Sequence, residues 1–440
     1  MPSHAVEAHT ASLMPLLTSA LSHLPLHKEP RSPTQSSLPP LTDHKGVQRR
    51  RPDFVSVTRG PGMGSSLAVG LNTAKGLAAA WGVPLVAVHH MQAHALTPRL
   101  ANALERADAT STLDASKKQP SHHGHHLLPR FPFATLLVSG GHTTLLDSSS
   151  LTSHRVIAHT DSIAVGDALD KAARMILPAY ALSTCSDTMY ARALEEFAFP
   201  GTTSLSPSPL VGRRRFASHD ESYSPPVSRS DEDRPVRHPD YNWFLSPPLA
   251  DSRRMAFNYS GLGGQLKNLV KQRTRPGEKD MDMDIAERRA LAACVMRVAF
   301  DHLASRVVMM LQSRDTQSKH YYRNNPVSSR RGQKFFPPQD PAMAPINHLV
   351  VSGGVASNKF LMHVLRRFLT ERGYGHVMIT APPVELCTDN AAMIAWAGME
   401  MYEAGWVSDP GVLATPQWSM DAAVEGGGVV EVVSWKRRSE

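Results

Sequence analysis

Cysteine is scarce in this chain, and its scarcity argues against two kinds of site. The 440 residues contain three cysteines, Cys185, Cys294 and Cys387, which lie far apart and form no CxxC pair. The sequence therefore indicates neither a disulfide framework nor a zinc site built from cysteines. Such a composition favours a reducing interior as the environment of the protein.

Long apolar runs are absent as well. No stretch reaches the about 18 consecutive apolar residues that a membrane-spanning helix needs, so we expect no membrane partner. The N-terminal stretch MPSHAVEAHTASLMPLLTSALSHLPL carries Glu7 and no arginine, and matches neither a signal peptide nor a transit peptide. Helical spacing of its leucines predicts an amphipathic helix with an apolar face of Leu13, Leu16, Leu17 and Leu21.

The length, hydrophobic content and charge of the chain indicate how many domains it forms and what kind of partner it binds. Hydrophobic residues make up 41% of the chain, which is enough for two domains with a core each. Lys and Arg number 47 against 39 Asp and Glu, a net charge of +8, and the pI is near 9.4. This balance favours a polyanionic partner such as nucleic acid, and it equally suits a protein that resides in a basic compartment.

Four segments are rich in Pro, Ser, His and charge without periodicity, which is typical of inserted loops or linkers. They cover residues 28–52, 105–129, 202–240 and 313–345. The second contains the most conspicuous histidine cluster, His122, His123, His125 and His126. Nothing in such a segment would hold a fixed ligand geometry, so we assign it no metal. Two inserts fall in each of two expected domains, an N-terminal one over 1–150 and a C-terminal one over 151–440.

Between the inserts, predicted strands alternate with predicted helices. PDFVSVTRGPG predicts a strand that enters a Gly-Pro turn, and SLAVGLNTAKGLAAAWG predicts a helix that ends at Gly82. VPLVAVHH and INHLVVSGGV predict strands, and FATLLVSGGHTTLL predicts two strands around a glycine turn. Residues 284–312 predict a long helix with one apolar side, formed by Val295, Ala299, Leu303 and Met310. The alternation predicts an α/β fold with a largely parallel sheet.

Two further stretches, LLVSGGHTTL and LVVSGGVASNKFL, each deliver an apolar strand into Ser-Gly-Gly. Paired glycines allow backbone N–H groups to approach an anion, so each turn is a candidate phosphate site as well as an ordinary tight turn. Two such turns are spaced like related halves of a fold. They favour a duplicated α/β architecture that holds a nucleotide between its domains.

His90 and His94, in VAVHHMQAHAL, are four residues apart. On a helix they would project from one face one turn apart, a spacing that lets two imidazoles share a metal ion. In a chain with 22 histidines such a pair also arises by chance. Asp389, in LCTDNAAMIAWAG, offers a third ligand or else caps the helix that follows. Two imidazoles and a carboxylate leave coordination positions open for substrate, which suits catalysis.

Seven motifs occur in one order between Val55 and Gly398: GPGMGSSLAVGLNTAKGLA, VHHMQAHAL, FPFATLLVSGGHTTLL, GDALDKAAR, YSGL, VVSGGVASNKFL and PPVELCTDNAAMIAWAG. In that order they resemble the tRNA N6-adenosine threonylcarbamoyltransferase family, most of all its mitochondrial branch. The resemblance implies the actin-like, Hsp70-like ATPase fold, in which two related α/β domains hold a nucleotide between them.

The same resemblance assigns residues to the site. It puts His90, His94 and Asp389 on the family's metal positions, with iron, zinc or magnesium as the ion. The residues that it places against the substrate adenylate are Leu137, Val138, Ser139, Gly140 and Gly141. Those that it places on the nucleoside part are Asp170, Ser357 and Asn358. Glu195 stands either on an acidic position of the family or on a solvated helix face.

The implied reaction takes threonylcarbamoyl adenylate, made by a separate synthase. It transfers the threonylcarbamoyl group to N6 of the adenosine 3′ to the anticodon, in tRNAs that read codons beginning with A. Because the donor is a mixed anhydride, a Lewis-acid metal and the amides of Ser139 to Gly141 would stabilise charge on its carbonyl and on the leaving adenylate. His142, beside the turn, is a candidate base, with a structural hydrogen bond as the alternative.

The sequence departs from the family's pattern at its start. Family members begin with a strand, a turn of the kind GIETSCD and a second strand, whereas this chain begins at the following helix, Ser3 to Leu24. We expect a truncated gene model or, alternatively, an impaired relative. The glycine pair that many members carry after the Asp170 motif is also missing, and Gln92 stands where bacterial members have Glu.

Other functions are weaker alternatives. A metalloendopeptidase of the HExxH kind needs glutamate directly after the first histidine, where this chain has Met91. A small-molecule kinase would hold Mg²⁺ with carboxylates and phosphates rather than with histidines. The main alternative is a tRNA-binding or partner-binding relative without turnover, for which basic clusters such as QRRRP would serve unless they are merely solvated loops. The resemblance also implies a homodimer in the mitochondrion, with the cytoplasm as the alternative location.

Overall fold

The computed structural model describes residues 2–27, 39–111, 127–183, 185, 190–201, 223–275, 281–314, 344–430 and 434–438. Contacts within the chain divide it into two compact units. The first unit comprises Met1–Leu100, Leu151–His154 and Asn390–Glu440, and the second comprises Ala101–Ser150 and Arg155–Asp389. The histidine cluster predicted to bind no metal, His122 to His126, lies outside the described residues.

The first unit is built on a four-stranded sheet. Its elements are α1 (Pro2–Leu21), β1 (Leu41–Thr42), β2 (Gln48–Arg49), β3 (Val55–Gly60), α2 (Gly64–Trp81), β4 (Leu85–His89), the first half of α3 (His90–Ser111), α12 (Ala391–Glu403), β13 (Trp406–Ser408) and β14 (Trp435–Arg437). The sheet order is β14-β13-β4-β3, in which β3 and β4 are parallel and β13 is antiparallel to β4 and β14. All five residues of β4 are buried, because α2 and α12 both contact β3 and β4.

The second unit is built on a six-stranded sheet. Its elements are β5 (Phe133–Val138), β6 (Thr143–Ser148), β7 (His154–Thr160), α4 (Val165–Ile176), α5 (Ala179–Ser183), α6 (Tyr190–Ala198), α7 (Arg229–Glu232), β8 (Val236–Arg237), β9 (Phe244–Leu245), β10 (Ala256–Phe257), α8 (Ser260–Gln272), α9 (Ile285–Arg314), β11 (His348–Ser352), a 3₁₀ helix (Gly354–Ser357), α10 (Lys359–Glu371), β12 (Met378–Thr380) and α11 (Val384–Cys387). The order is β10-β7-β6-β5-β11-β12, with β5, β11 and β12 parallel and β6 antiparallel to β5. The predicted α/β class with a parallel-rich sheet is confirmed.

The long helix α9 forms the centre of the second unit's core. The predicted apolar side, Val295, Ala299, Leu303 and Met310, is buried. Met296 and Phe300, which lie on another side, are buried as well. The helix is therefore enclosed by its neighbours α4, α6 and α10 rather than exposed along one face.

Units and predicted domains differ in their boundaries. The prediction divides the chain once, at residue 150, whereas each unit combines separate segments of the chain. The C-terminal strand β13 pairs with β4, which places residues 390–440 in the first unit. The hairpin of β5 and β6 joins the second unit because β5 pairs with β11. Strand pairing between distant segments leaves no signal in local composition.

Parts of the predicted inserts are ordered, so the prediction of loops is wrong there. Residues 39–52 contain the hairpin β1–β2, in which buried Asp43 accepts hydrogen bonds from the N–H groups of Lys45 and Val47 and pairs with Arg49. Residues 105–111 continue α3, and residues 223–240 contain α7 and β8. The short elements depend on ion pairs and side-chain caps such as Ser228 with Asp231, which give no apolar periodicity.

The N-terminal helix is confirmed, but its predicted apolar face is only partly correct. Leu13, Leu17 and Leu21 are half-buried, whereas the side chain of Leu16 is 64% exposed. The predicted end of α2 is also confirmed, since Gly82 adopts a left-handed conformation with φ of 63°. Among the described residues, no helix combines the length and the apolar character needed to cross a bilayer.

Candidate functional site

The histidine pair lies where a buried strand passes directly into a helix. Strand β4 ends at His89, one residue before the end of the predicted strand, and α3 begins at His90. His90 and His94 therefore lie on one helix, which is the condition under which their spacing predicts a shared face. The centres of the two imidazole rings are 4.8 Å apart and the rings are nearly perpendicular, at 82°. His94 is 6% exposed and His90 is half-buried, which gives the pair one accessible side.

Asp389 meets this pair at the start of another helix. The N-cap of α12 is Asn390, whose side chain accepts a hydrogen bond from the N–H of Met393. Asp389 therefore precedes the cap and does not form it. One ligand-type atom from each of His90, His94 and Asp389 lies within 4.8 Å of the others. Two imidazole nitrogens and a carboxylate oxygen form a donor set that fits a divalent zinc or iron ion with open coordination positions.

His89, next to the pair, has a structural role that the sequence did not reveal. It is fully buried, and its Nδ1 accepts a hydrogen bond from the N–H of Met91 at 3.1 Å. Burial lowers the pKa of His89 to about 3, and the nearby His154 and His90 lower it further, while a hydrogen bond with the carbonyl oxygen of Trp418 opposes the shift. The imidazole is neutral at physiological pH.

Gln92 lies between the two candidate ligands in sequence and is also buried. Its Nε2 donates to the carbonyl oxygen of Leu151 at 2.9 Å, and the ring of His154 contacts the same oxygen at 2.8 Å. A glutamate at this position would have no N–H to offer that carbonyl at neutral pH. The amide is thus what ties α3 to the returning segment Leu151–His154.

The two predicted glycine turns come together in the second unit. Parallel pairing of β5 with β11 sets Leu137 opposite Ser352, so both Ser-Gly-Gly turns leave the sheet at the same edge. Gly353 has φ of 97°, and a Cβ there would lie 2.5 Å from the carbonyl oxygen of Val138. A Cβ on Gly166 would lie 2.8 Å from the amide nitrogen of Gly140. Sequence reasoning missed Gly166, although it opens the GDALD motif.

Hydrogen bonds among its own residues close the first Ser-Gly-Gly turn, Ser139 to Gly141. The N–H of Ser139 donates to the carbonyl oxygen of His142 at 2.8 Å, and Ser139 Oγ accepts from the amides of Gly141 and His142. The prediction that the Ser139 amide faces an anion is therefore wrong, because that amide closes the turn. Gly140, Gly141 and His142 are exposed, while the side chains of Leu137 and Val138 are buried.

The residues predicted for the nucleoside hold the ends of helices. Asp170 Oδ1 accepts from the N–H of Ala191 in α6 at 2.7 Å, and burial raises the pKa of this carboxyl. Asn358 Oδ1 caps α10 through the N–H of Leu361 at 2.8 Å, and Ser357 Oγ donates to the carbonyl oxygen of Gly354. These contacts fix the side chains at the helix starts.

Glu195 joins the same helix start. Its Oε1 accepts from the N–H of Phe360 at 2.8 Å, and the residue is 4% exposed. Burial raises the pKa of Glu195 to about 7 against the lowering effect of the Phe360 and Lys359 amides. The alternative of a solvated helix face is wrong for this residue.

Comparisons of the sequence with a family model and with known proteins agree on one family. A family model described as tRNA N6-adenosine threonylcarbamoyltransferase matches residues 40–119 and 109–396. The "tRNA N6-adenosine threonylcarbamoyltransferase, mitochondrial" of Schizosaccharomyces pombe (strain 972) is 30% identical over 85% of this chain and 69% of its own length. The "tRNA N6-adenosine threonylcarbamoyltransferase" of Rhizobium meliloti (strain 1021) is 32% identical over 86% of this chain and 76% of its own length.

Among solved structures, the crystal structure of HypF from T. kodakarensis is similar, with a TM-score of 0.33 and 12% identity. The match covers 81% of this chain and 42% of that one. Similarity at this level supports no argument about the fold or the function of this chain.

Proposed function

The chain belongs to the tRNA N6-adenosine threonylcarbamoyltransferase family, and we propose that it performs the family's transfer at a metal centre formed by His90, His94 and Asp389. It modifies tRNA by transfer of a threonylcarbamoyl group to N6 of adenosine. The actin-like, Hsp70-like ATPase fold expected from the sequence is the fold of this family. The convergence of three ligand atoms within 4.8 Å carries the proposal.

A divalent ion held by His90, His94 and Asp389 would supply Lewis acidity toward the carbonyl of threonylcarbamoyl adenylate. The protein residues set the geometry of that contact. His90 and His94 are fixed one turn apart on α3, and Asp389 is fixed at the start of α12, so the three donors need little reorganisation. A carboxylate among the donors also reduces the net positive charge that the site presents to substrate.

The first glycine turn is the proposed contact for the adenylate. Gly140 and Gly141 are exposed and carry no side chain, so the donor's phosphate can approach their backbone closely. Leu137 and Val138 contribute through the backbone, because their side chains are buried. Exposed His142 is the proposed base for the N6 amine.

For the nucleoside part we propose Asp170, Glu195, Ser357 and Asn358, three of which accept hydrogen bonds from amides at helix starts. Glu195, Ser357 and Asn358 are supported by their common location at the 3₁₀ helix and the start of α10, where Asn358 and Glu195 both bind backbone amides. Asp170 binds the start of α6, the helix that carries Glu195. The caps keep polar groups at fixed positions, which suits recognition of a ribose or a base edge.

From the family resemblance we further propose tRNA substrates that read codons beginning with A, a separate synthase that supplies the donor, a homodimer, and a mitochondrial location. The printed name of the S. pombe relative includes "mitochondrial", which supports the location. Size-exclusion chromatography with light scattering tests the dimer, and a fluorescent fusion tests the location.

The decisive experiment supplies the purified chain with a partner synthase, threonine, bicarbonate, ATP and unmodified tRNA, followed by mass spectrometry of nucleosides. We expect modified adenosine with the unaltered chain and none with His90→Ala/His94→Ala. His159→Ala is the matched control, because His159 is an exposed histidine of β7 outside the proposed site. Product from His90→Ala/His94→Ala would contradict the metal centre. A chain that binds metal and tRNA without forming product would instead be the relative without turnover.

A further inference from the structure

The segment that follows β13 packs closely on the first unit, although the family model ends before it. We define the C-terminal loop as Asp409–Gly428, whereas the family match ends at residue 396. The loop buries Val412, Trp418 and Met420, so it is part of the unit's core. Val412 packs in one apolar cluster with Leu85 and Ala87 of β4.

The C-terminal loop first joins the end of β3. The Nε of Arg59 donates to the carbonyl oxygen of Leu413 and to Oγ1 of Thr415, both at 3.1 Å. The N–H of Thr415 donates in return to the carbonyl oxygen of Arg59 at 2.9 Å. A Cβ on Gly60 would lie 1.9 Å from the carbonyl oxygen of Thr415, so the loop fits only against a glycine.

Trp418 then brings the loop onto His89. Its carbonyl oxygen lies 3.1 Å from His89 Nε2, and the centres of the two rings are 4.4 Å apart. The indole Nε1 donates to the carbonyl oxygen of Gly428 at 2.8 Å, and the Arg59 guanidinium lies 5.1 Å from the indole centre. These contacts fix Trp418 within the loop and over the end of β4.

His89 also contacts α3, the helix that carries the candidate ligands His90 and His94. Its Nδ1 accepts from the N–H of Met91, which is the second residue of α3 and has no carbonyl partner within the helix. An imidazole that accepts at Nδ1 donates at Nε2 when neutral, which matches the contact with Trp418. The hydrogen bonds therefore run continuously from the loop, through His89, to the first turn of α3.

We infer that the C-terminal loop positions the metal-binding histidines, with Trp418 and His89 as positioning residues that do not touch the ion. The inference rests on the proposed metal centre at His90, His94 and Asp389. Loss of outer partners that orient metal ligands typically weakens metal binding by about 10- to 100-fold. We expect a weakening of at least about tenfold when either link is removed.

The test measures Zn²⁺ affinity of the full-length protein by competition with a chromophoric chelator. His89→Phe keeps a ring of similar size but removes both hydrogen bonds, and Trp418→Ala removes the ring that holds the loop. Each variant should bind Zn²⁺ at least about tenfold more weakly. The double variant should lose little more than either single variant, because both changes break one chain of contacts. The absorption spectrum of bound Co²⁺ should shift in the same variants.

Trp406→Ala is the matched control. Trp406 is in β13 of the same unit and packs on Trp435 and on Arg437. We expect lower thermal stability with unchanged Zn²⁺ affinity. If Trp418→Ala fails to fold, Trp418→Phe decides the question, since it removes the indole bond to Gly428, keeps an aromatic ring and should weaken Zn²⁺ binding measurably.

Unchanged Zn²⁺ affinity in folded His89→Phe and Trp418 variants, with lowered thermal stability, would overturn the inference and leave the proposed metal centre intact. Absence of Zn²⁺ binding by the unaltered chain would overturn both. Binding that survives His90→Ala/His94→Ala would place the ion elsewhere and would likewise overturn both.

Discussion

The histidine site and the glycine turns use their residues in opposite ways. Around His90 and His94, backbone groups and buried neighbours hold side chains that converge on one point. Around Ser139 and Gly353, side chains such as that of Ser139 hold a backbone, and glycines keep space open beside it. The histidine site depends on the chemical identity of its side chains. The glycine turns depend on positions that carry no side chain. Substitutions should therefore affect activity in one region and folding in the other.

The largest expected effect is on the histidine side of this comparison. His94→Ala should reduce transfer of the threonylcarbamoyl group by on the order of a thousandfold, about 4 kcal/mol, because it removes one of the three proposed metal donors. Single-turnover assays with nucleoside mass spectrometry measure the loss. Thermal unfolding of the metal-free protein should change little by comparison. An active His94→Ala variant would contradict the expectation that activity depends on the side chains of the histidine site.

Gly353→Ala should show the opposite pattern, with a loss of stability of roughly 3 kcal/mol. The new Cβ would meet the carbonyl oxygen of Val138 at 2.5 Å, at a backbone φ of 97° that alanine rarely adopts. Urea unfolding measures the effect. Gly354→Ala is the control, because nothing lies within 4 Å of a Cβ there. Equal stability of the two variants would contradict the close approach of the strands.

The stability of the protein should depend on pH through Glu195. Its pKa of about 7 in the folded protein exceeds the ordinary value of 4.5, so its protonated form is favoured by folding. Below pH 4.5 this contribution is fully present, and it is lost as pH rises through about 7. Relative to Glu195→Gln, the unaltered protein should therefore lose up to roughly 3 kcal/mol between pH 4.5 and pH 8.

Urea unfolding at a series of pH values measures this difference. Glu371→Gln, at an exposed position at the end of α10, should leave the pH dependence unchanged. Parallel stability curves for the unaltered protein and Glu195→Gln would show that this carboxyl does not titrate differently in the folded state.

The smallest effect belongs to Ser139→Ala. Loss of the hydroxyl that accepts from the amides of Gly141 and His142 should cost about 1 kcal/mol of stability. Chemical denaturation compares it with Ser149→Ala, an exposed serine just beyond β6. A stability loss as large as that of Gly353→Ala would mean that the side chain, rather than the glycines, dominates this turn.

Local sequence patterns predicted the elements that carry both regions. The apolar run VPLVAVHH predicted β4, and the spacing of His90 and His94 predicted a shared face on the condition, met by α3, that both lie on a helix. The two Ser-Gly-Gly turns followed from their strands in the same way. These features depend on neighbours within a few residues, where strand and helix periodicity are informative.

Other features depend on partners that are distant in the chain. Glu195 binds the amide of Phe360, and Arg59 binds the carbonyl oxygen of Leu413, so neither contact has a local signal. The hairpin in residues 39–52 depends on the buried carboxylate of Asp43 within a short polar turn, which composition alone marks as a linker. Burial decides the role of such polar residues, and one sequence does not report it.

The assembly of the first unit from Met1–Leu100, Leu151–His154 and Asn390–Glu440 has a consequence for biosynthesis. During translation, His90 and His94 emerge from the ribosome early, whereas α12, β13 and the C-terminal loop emerge late. Until then the nascent chain lacks the partners that cover β4 and contact His89, whereas nearly all of the second unit has already been made. Completion of the proposed metal centre is thus tied to translation of residues 390–428, and a chain that ends before them should fold its second unit without forming the proposed site.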